Sequence, residues 1–467
     1  MRTHFLALAL LAAPALAQTP PAAAPAALTA AQDHQRLLDL LHITALRAGA
    51  AQSGTGTNPV NYDESKANPW PNLPSPLVLN NGKPVTTAKI WWSQRRPELV
   101  ELFDREVFGR VPVNVPAIRW EVASTTTGTE DGIAVVTKHL VGHANNSAYP
   151  ALTVNILADL TLPASAPKPV PVVVEITFEN TPGMPPPPPR PAPANAAPST
   201  PRPPADTGPD WKQQTLAKGW GYALLYPKSF QADNGAGLAS GIIGLANHGQ
   251  PRNLDDWGAL RAWAWGAARL MDYFETDKDV DAKHVAVSGH SRFGKTALVT
   301  MAYDQRYAVA YVNSSGAGGA DLARRRFGEQ LENIAGAGEY HWMDGNYLRY
   351  AELAPKLVTP ADMPVDTHEL IALCAPRPVF IGGGTREGGD GWADVYGTFL
   401  AEAAAGPVYT LLGKKPLVLD AFPAPDVALV SGDLAFRLHH GGHDPKPNYA
   451  TFLTFAGRYM PSAAAGK

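Results

Sequence analysis

Gly289-His290-Ser291-Arg292-Phe293-Gly294-Lys295 sets one serine between two glycines. The apolar run Val285-Ala286-Val287-Ser288 leads into it, and a helix-like segment, Thr296 to Ala302, leads out. A serine on a sharp strand-to-helix turn is a nucleophile elbow, a device of acyl-transfer chemistry. The turn needs small residues on both sides because the backbone crowds there. It lifts the Ser291 hydroxyl above the sheet and aims a helix N-terminus at the reacting carbonyl. The usual second glycine follows the serine by two residues. Here that place is Phe293, and the glycine comes one later at Gly294. An ordinary βα turn in a parallel sheet would read similarly, so the partners of Ser291 carry weight.

A serine hydroxyl needs a base, and the base needs an orienting carboxylate. On the α/β-hydrolase fold their order along the chain is serine, acid, histidine. Among 13 histidines, His443 follows a late strand in His439-His440-Gly441-Gly442-His443-Asp444. The glycines would let this loop fold over the site and bring His443 to Ser291. His440 is the alternative base. The acid is expected just past the strand Val379 to Ile381, where Glu387, Asp390 and Asp394 lie. Asp390, in the flexible stretch Gly389-Asp390-Gly391-Trp392, is preferred. Asp394 is nearer a helix start, where capping would account for it. The choice between Asp390 and Asp394 stays open. No His-Glu-x-x-His motif and no Gly-rich phosphate loop is present, so no metal or organic cofactor is expected.

Alternating elements must position these residues. Val170 to Phe178 and Gly221 to Tyr226 are near-continuous apolar runs, suited to buried central strands. Ala117 to Leu160 alternates apolar and polar in several stretches, as antiparallel edge strands do. Ala31 to Ala48, Trp91 to Phe108 and Trp257 to Phe274 have helical spacing. Further strands are expected at Ala308 to Val312 and Val430 to His440, with a closing helix at Tyr449 to Tyr459. This predicts an α/β-hydrolase fold: three layers, a mostly parallel central sheet and antiparallel N-terminal strands. Residues 181–209 are dense in proline and cannot be helix or sheet interior. They read as a polyproline loop bordering the site, because the strands on both sides suit one sheet.

The 467 residues are 45% hydrophobic with a net charge of −3 and no long run of one sign. Nothing points to nucleic acid or a membrane surface as a partner. Residues 1–17 read as a cleavable signal: Arg2, then an apolar core, then Ala15-Leu16-Ala17. Residues 18–30 are a Pro/Ala-rich linker, and 31–467 are expected to be one catalytic domain. The mature protein should be secreted or periplasmic, without a membrane span, and monomeric. Cys374 is the only cysteine, in an apolar segment, so it reads as a buried small hydrophobe.

Several ordered segments match one family. They are the elbow itself, Ser315-Gly316-Ala317-Gly318-Gly319-Ala320, Arg326-Phe327-Gly328-Glu329, Tyr340-His341-Trp342 and Pro364 to Ala372. Ala375-Pro376-Arg377-Pro378, Asp390-Gly391-Trp392-Ala393-Asp394 and Gly441-Gly442-His443 complete the set. From about Val78 to Tyr459 the chain resembles the bacterial glucuronoyl esterases, carbohydrate esterase family fifteen. That family cleaves esters between 4-O-methyl-glucuronic acid on glucuronoxylan and alcohols of lignin. The resemblance implies Ser291 as nucleophile, His443 as base and Arg292 as an oxyanion contact from side chain and backbone. It implies that Lys295, Glu329 and Trp392 hold the sugar. Read alone, Arg292, Lys295 and Glu329 would be salt-bridge residues and Trp392 a core residue. Some members carry the acid shortly after the strand that follows the elbow. Here Asn313-Ser314-Ser315 offers no carboxylate, which favours Asp390. Others have cysteine where Ala317 stands, and the Pro-rich loop is longer than the resemblance implies. The alternatives are an acetyl or feruloyl esterase, a peptidase, or a non-catalytic carbohydrate-binding homologue.

Overall fold

The computed structural model describes residues 28–51, 57–167, 169–185, 209–353, 358–418 and 421–460. The signal expected at 1–17, nearly all of the linker at 18–30 and most of the Pro-rich segment at 181–209 lie outside these residues.

Ten strands form one sheet. They are β1 (Ile118–Glu130), β2 (Ile133–Ala144), β3 (Asn155–Pro163), β4 (Val170–Ile176) and β5 (Gly221–Tyr226). β6 (Val280–His290), β7 (Val309–Asn313), β8 (Val379–Gly384), β9 (Ala428–Leu429) and β10 (Leu434–His439) follow. Their order is β1-β2-β3-β5-β4-β6-β7-β8-β10-β9. The centre, from β5 to β10, is parallel. β1, β2 and β3 add an antiparallel N-terminal edge. β4 and β5, which flank the Pro-rich segment, are parallel neighbours.

Strand side chains alternate between two apolar layers, as a period of two requires. Val172, Val174, Val285, Val287, Ala310, Val312, Val379, Ile381 and Phe436 face the larger layer. There they meet the helices Ala259–Phe274, Arg292–Tyr303, Thr367–Cys374 and Val395–Leu411. The intervening Val173, Ala286, Tyr311, Phe380 and Ala435 face the helix Lys446–Ala456 through Tyr449, Phe452 and Phe455. Two apolar faces explain why the central strands read as unbroken hydrophobic runs. Cys374 is free and buried.

Two helices differ from the sequence reading. The helix expected over Ala31 to Ala48 runs only from Ala30 to Leu40. It stops because His42 takes φ 57°, a left-handed turn that a helix cannot continue. For the helix Val395–Leu411 the sequence offered a start near Asp394, which the structure shows as its cap, but not its extent. The helix holds Gly406 and Pro407 internally, and its buried residues lie on every side, so it shows no amphipathic period. No described helix is long and apolar enough to cross a membrane.

Candidate active site

Ser291 sits where β6 ends, at the carboxyl edge of the parallel strands. Its φ is 54° and its ψ −129°, a backbone state that L residues rarely adopt. The Ser291 N–H donates to Asn313 O at 2.9 Å, tying the turn to β7. A Cβ on Gly289 would come within 2.1 Å of Phe293 O, and one on Gly294 within 2.8 Å of Asn313 O. Both glycines are therefore needed for close backbone approach. Phe293, between them, is fully buried against Trp263 and Phe178. The later glycine thus has a local reason: residue 293 faces the core and residue 294 faces β7.

His443 Nδ1 donates to Asp390 Oδ1 at 2.7 Å. The carboxylate can only accept, so this bond leaves Nε2 with its lone pair free. Asp390 is buried and accepts two further bonds, from Ser314 Oγ at 2.6 Å and Gly384 N–H at 2.7 Å. The stretch around Asp390 is not the flexible loop its glycines suggested. It is a capped turn, with Asp390 N–H on Thr385 O at 3.0 Å and Gly388 N–H on Thr385 Oγ1 at 3.0 Å. The glycines serve close approach: a Cβ on Gly384 would come within 2.2 Å of Gly441 O. That contact lets the His443 loop settle on the end of β8.

Asp394 is engaged elsewhere. It caps the helix Val395–Leu411 through Gly397 N–H and binds Arg325 Nε at 2.7 Å. His440 is exposed and lies 3.7 Å from Asp426, away from Asp390. Glu387 lies inside the turn Arg386–Asp390, and the carboxylate that meets His443 is that of Asp390. The geometry therefore joins His443 to Asp390 among the weighed pairs.

His290 packs against His443 with ring centroids 4.2 Å apart and the rings tilted by 52°, and its Nδ1 meets Asn313 Nδ2 at 3.0 Å. Burial, then His443 and His439, push its pKa down to about 3, so it stays neutral beside the base.

Ser291, Arg292, Lys295, Ser314, Glu329, Glu339, Trp342, Trp392 and His443 line one cleft of about 520 Å³. Arg292 Nη1 binds Asp233 Oδ2 at 2.6 Å, and its guanidinium lies 5.2 Å from the Trp342 ring centroid. Asp233 also accepts from Trp342 Nε1 at 2.8 Å and His341 Nε2 at 3.1 Å. Burial alone would raise the Asp233 pKa, but these donors and the Arg292 charge hold it well below the usual carboxylate range. Lys295 is buried, and its three ammonium protons are matched. It donates to Ser315 O and Ala317 O at 2.6 Å each and to Glu329 Oε2 at 2.9 Å. Trp392 Nε1 donates to Glu329 Oε1 at 3.2 Å. Trp392 is half-buried and lines the cleft, so it is not a core residue. Asp233, Ser314 and Glu339 are cleft-side polar residues that the sequence reading missed. They lie in loops with no period, and only the convergence of strand ends brings them together.

A strained serine turn at the carboxyl edge of a parallel sheet covered on both faces defines an α/β-hydrolase. Comparison with known proteins narrows this. A family model described as "Glucuronyl esterase, fungi" matches residues 252–413. "Carbohydrate esterase MZ0003", from an unknown prokaryotic organism, is 34% identical over 422 residues, covering 86% of this chain and 93% of the relative. A "4-O-methyl-glucuronoyl methylesterase" of Schizophyllum commune is 26% identical over 351 residues, covering 73% of this chain and 74% of the relative. The solved glucuronoyl esterase of Teredinibacter turnerae is 41% identical with a TM-score of 0.82, covering 92% of this chain and 99% of that one. That of Solibacter usitatus is 33% identical with a TM-score of 0.70, covering 84% and 99%. The chain belongs to the glucuronoyl esterases of carbohydrate esterase family 15, and it is an esterase.

Proposed function

We propose that this esterase hydrolyses the ester between 4-O-methyl-glucuronic acid of glucuronoxylan and an alcohol of lignin, through an acyl-enzyme on Ser291. One observation carries the reading. The Asp390–His443 hydrogen bond and Ser291 share a cleft with the joined side chains of Lys295, Glu329 and Trp392.

His443, held at Nδ1 by Asp390, takes the Ser291 proton at Nε2 as the hydroxyl oxygen attacks the uronate carbonyl. The negative charge that develops on the carbonyl oxygen meets the N–H groups that open the helix Arg292–Tyr303, together with the Arg292 side chain. Collapse expels the alcohol, protonated by His443. Water, deprotonated by His443, then cleaves the acyl-enzyme and restores Ser291. Trp392 offers an apolar face to the sugar ring, and Glu329 accepts from its hydroxyls. Lys295 fixes Glu329 and reads a hydroxyl by sharing a donor. No metal or organic cofactor enters this scheme.

The relatives, among them a 4-O-methyl-glucuronoyl methylesterase and a glucuronoyl esterase, support a glucuronate ester. Rates on benzyl glucuronate, acetylated xylan and methyl ferulate test the choice. A preference for either of the last two would replace this reading with an acetyl or feruloyl esterase. A non-catalytic binder would hydrolyse none of them.

We also propose that residues 31–467 act as one exported, monomeric catalytic domain after removal of the segment 1–17. The Ala15-Leu16-Ala17 exit supports this. N-terminal sequencing of the mature protein and light scattering of the purified enzyme test it.

A further inference from the structure

Glu339 is a carboxyl inside the cleft, beside Arg292, Lys295, Glu329 and Trp342. Its backbone opens the short helix Tyr340–Trp342, and among the described residues no donor reaches its carboxyl oxygens. The charged groups that act on it are Glu329, Lys295, Arg292 and Asp233. Both cations already have partners, Lys295 with Glu329 at 2.9 Å and Arg292 with Asp233 at 2.6 Å. Asp390, behind His443, adds another carboxylate. Each positive charge in the cleft is thus matched, while Glu339 and Asp390 leave a surplus of negative charge.

That surplus treats substrate and product differently. A uronate ester is uncharged at its carbonyl. Deacylation breaks the acyl–Oγ bond, joins the water oxygen to the acyl carbon, returns a proton to Ser291 and releases one proton to solvent. The sugar is left with a carboxylate where the neutral ester stood. We propose that Glu339 is a specificity-determining residue that makes the cleft favour the neutral uronate ester over the free uronate anion, so that hydrolysis weakens the binding of its own product. This rests on the glucuronate-ester reading above. Like charges that face one another across a cleft open to solvent repel, and the repulsion is relieved by protonation or by salt. Burial and then Glu329 push the Glu339 pKa up to about 7, with Lys295 and Arg292 opposing and Asp233 adding to the rise. The discrimination therefore strengthens as pH rises through neutrality.

The test is calorimetric binding of methyl glucuronate and sodium glucuronate to the Ser291→Ala protein at low ionic strength. At about pH 8 the ester should bind roughly tenfold more tightly than the acid, and at about pH 6 the ratio should shrink. Glu339→Gln should lower the ratio about fivefold at the higher pH and remove most of its pH dependence. Added salt should tighten the acid alone in the Glu339 protein, a measurement that needs no variant at 339. Equal weakening of both ligands by Glu339→Gln would make Glu339 a sugar-hydroxyl acceptor and overturn the proposal. An unchanged ratio would overturn it while leaving the uronate reading intact. Failure of the ester itself to bind would sink both together.

Discussion

Ser314 Oγ donates to Asp390 Oδ2 at 2.6 Å, joining residues 76 apart in the chain. Ser314 stands just after β7, in the stretch where some family members carry the acid. The side chain at that place here holds Asp390, the proposed acid, from a later loop.

Replacing Asp390 with asparagine should lower kcat by about a thousandfold or more, because His443 loses the partner that fixes its tautomer. KM for a glucuronate ester should move little. Adding Ser314→Asp to that variant places a carboxylate beside the same histidine and should recover about tenfold of the lost kcat. Steady-state kinetics of the single and double variants check both statements. No recovery would mean that residue 314 supports the acid but cannot replace it.

Asp394 should behave in the opposite way. Asp394→Ala removes a helix cap, breaks the buried pair with Arg325 and leaves a non-glycine residue at φ 38°. Breaking a buried pair costs about 3–5 kcal/mol. The melting temperature should fall sharply, while kcat of the folded enzyme stays within about threefold of the parent. A large loss of kcat at unchanged stability would reopen the assignment of the acid.

Trp392→Ala removes a cleft wall and the bond to Glu329. It should reduce kcat/KM on a glucuronate ester about ten- to a hundredfold, while a simple acetate ester loses about threefold or less. Lys295→Ala should show the same split together with a lower melting temperature, since it strips a buried Glu329 of its cation. Equal losses on both substrates would assign these residues to the fold alone.

Glu175, on β4, gives a pH signature of stability. Burial raises its pKa from 4.5 to about 7, and Oε2 has no hydrogen-bond partner. Between those values the unfolded chain has lost this proton and the folded chain keeps it. Its contribution to stability is therefore full below about pH 4.5 and falls as pH rises toward 7, by at most about 3 kcal/mol. Glu175→Gln should abolish that component. Urea unfolding of both proteins at about pH 5 and pH 8 measures it; equal differences at the two pH values would contradict it.

The sheet was readable because its central strands are buried on both faces. Gly221 to Tyr226 appears in the structure with the bounds its apolar run suggested. The serine turn and the histidine loop were readable because close backbone approach demands glycine at named places. The helix Val395–Leu411 showed only its start, at Asp394; its course was hidden because burial all round erases the period, and Gly406-Pro407 mimics a loop. Asp233 and Glu339 were hidden for another reason. A lone polar residue in a loop has no pattern, and its place depends on where distant strands end.

The tie from Ser291 N–H to Asn313 O and the neighbouring bond from Ser314 Oγ to Asp390 anchor the proposed nucleophile and the proposed acid at consecutive residues. The end of β7 acts as a shared mount. A change at that strand end therefore reaches the serine and the carboxylate together. His443 hangs from a separate loop, which makes that loop the component to stiffen in any heat-tolerant version of the enzyme.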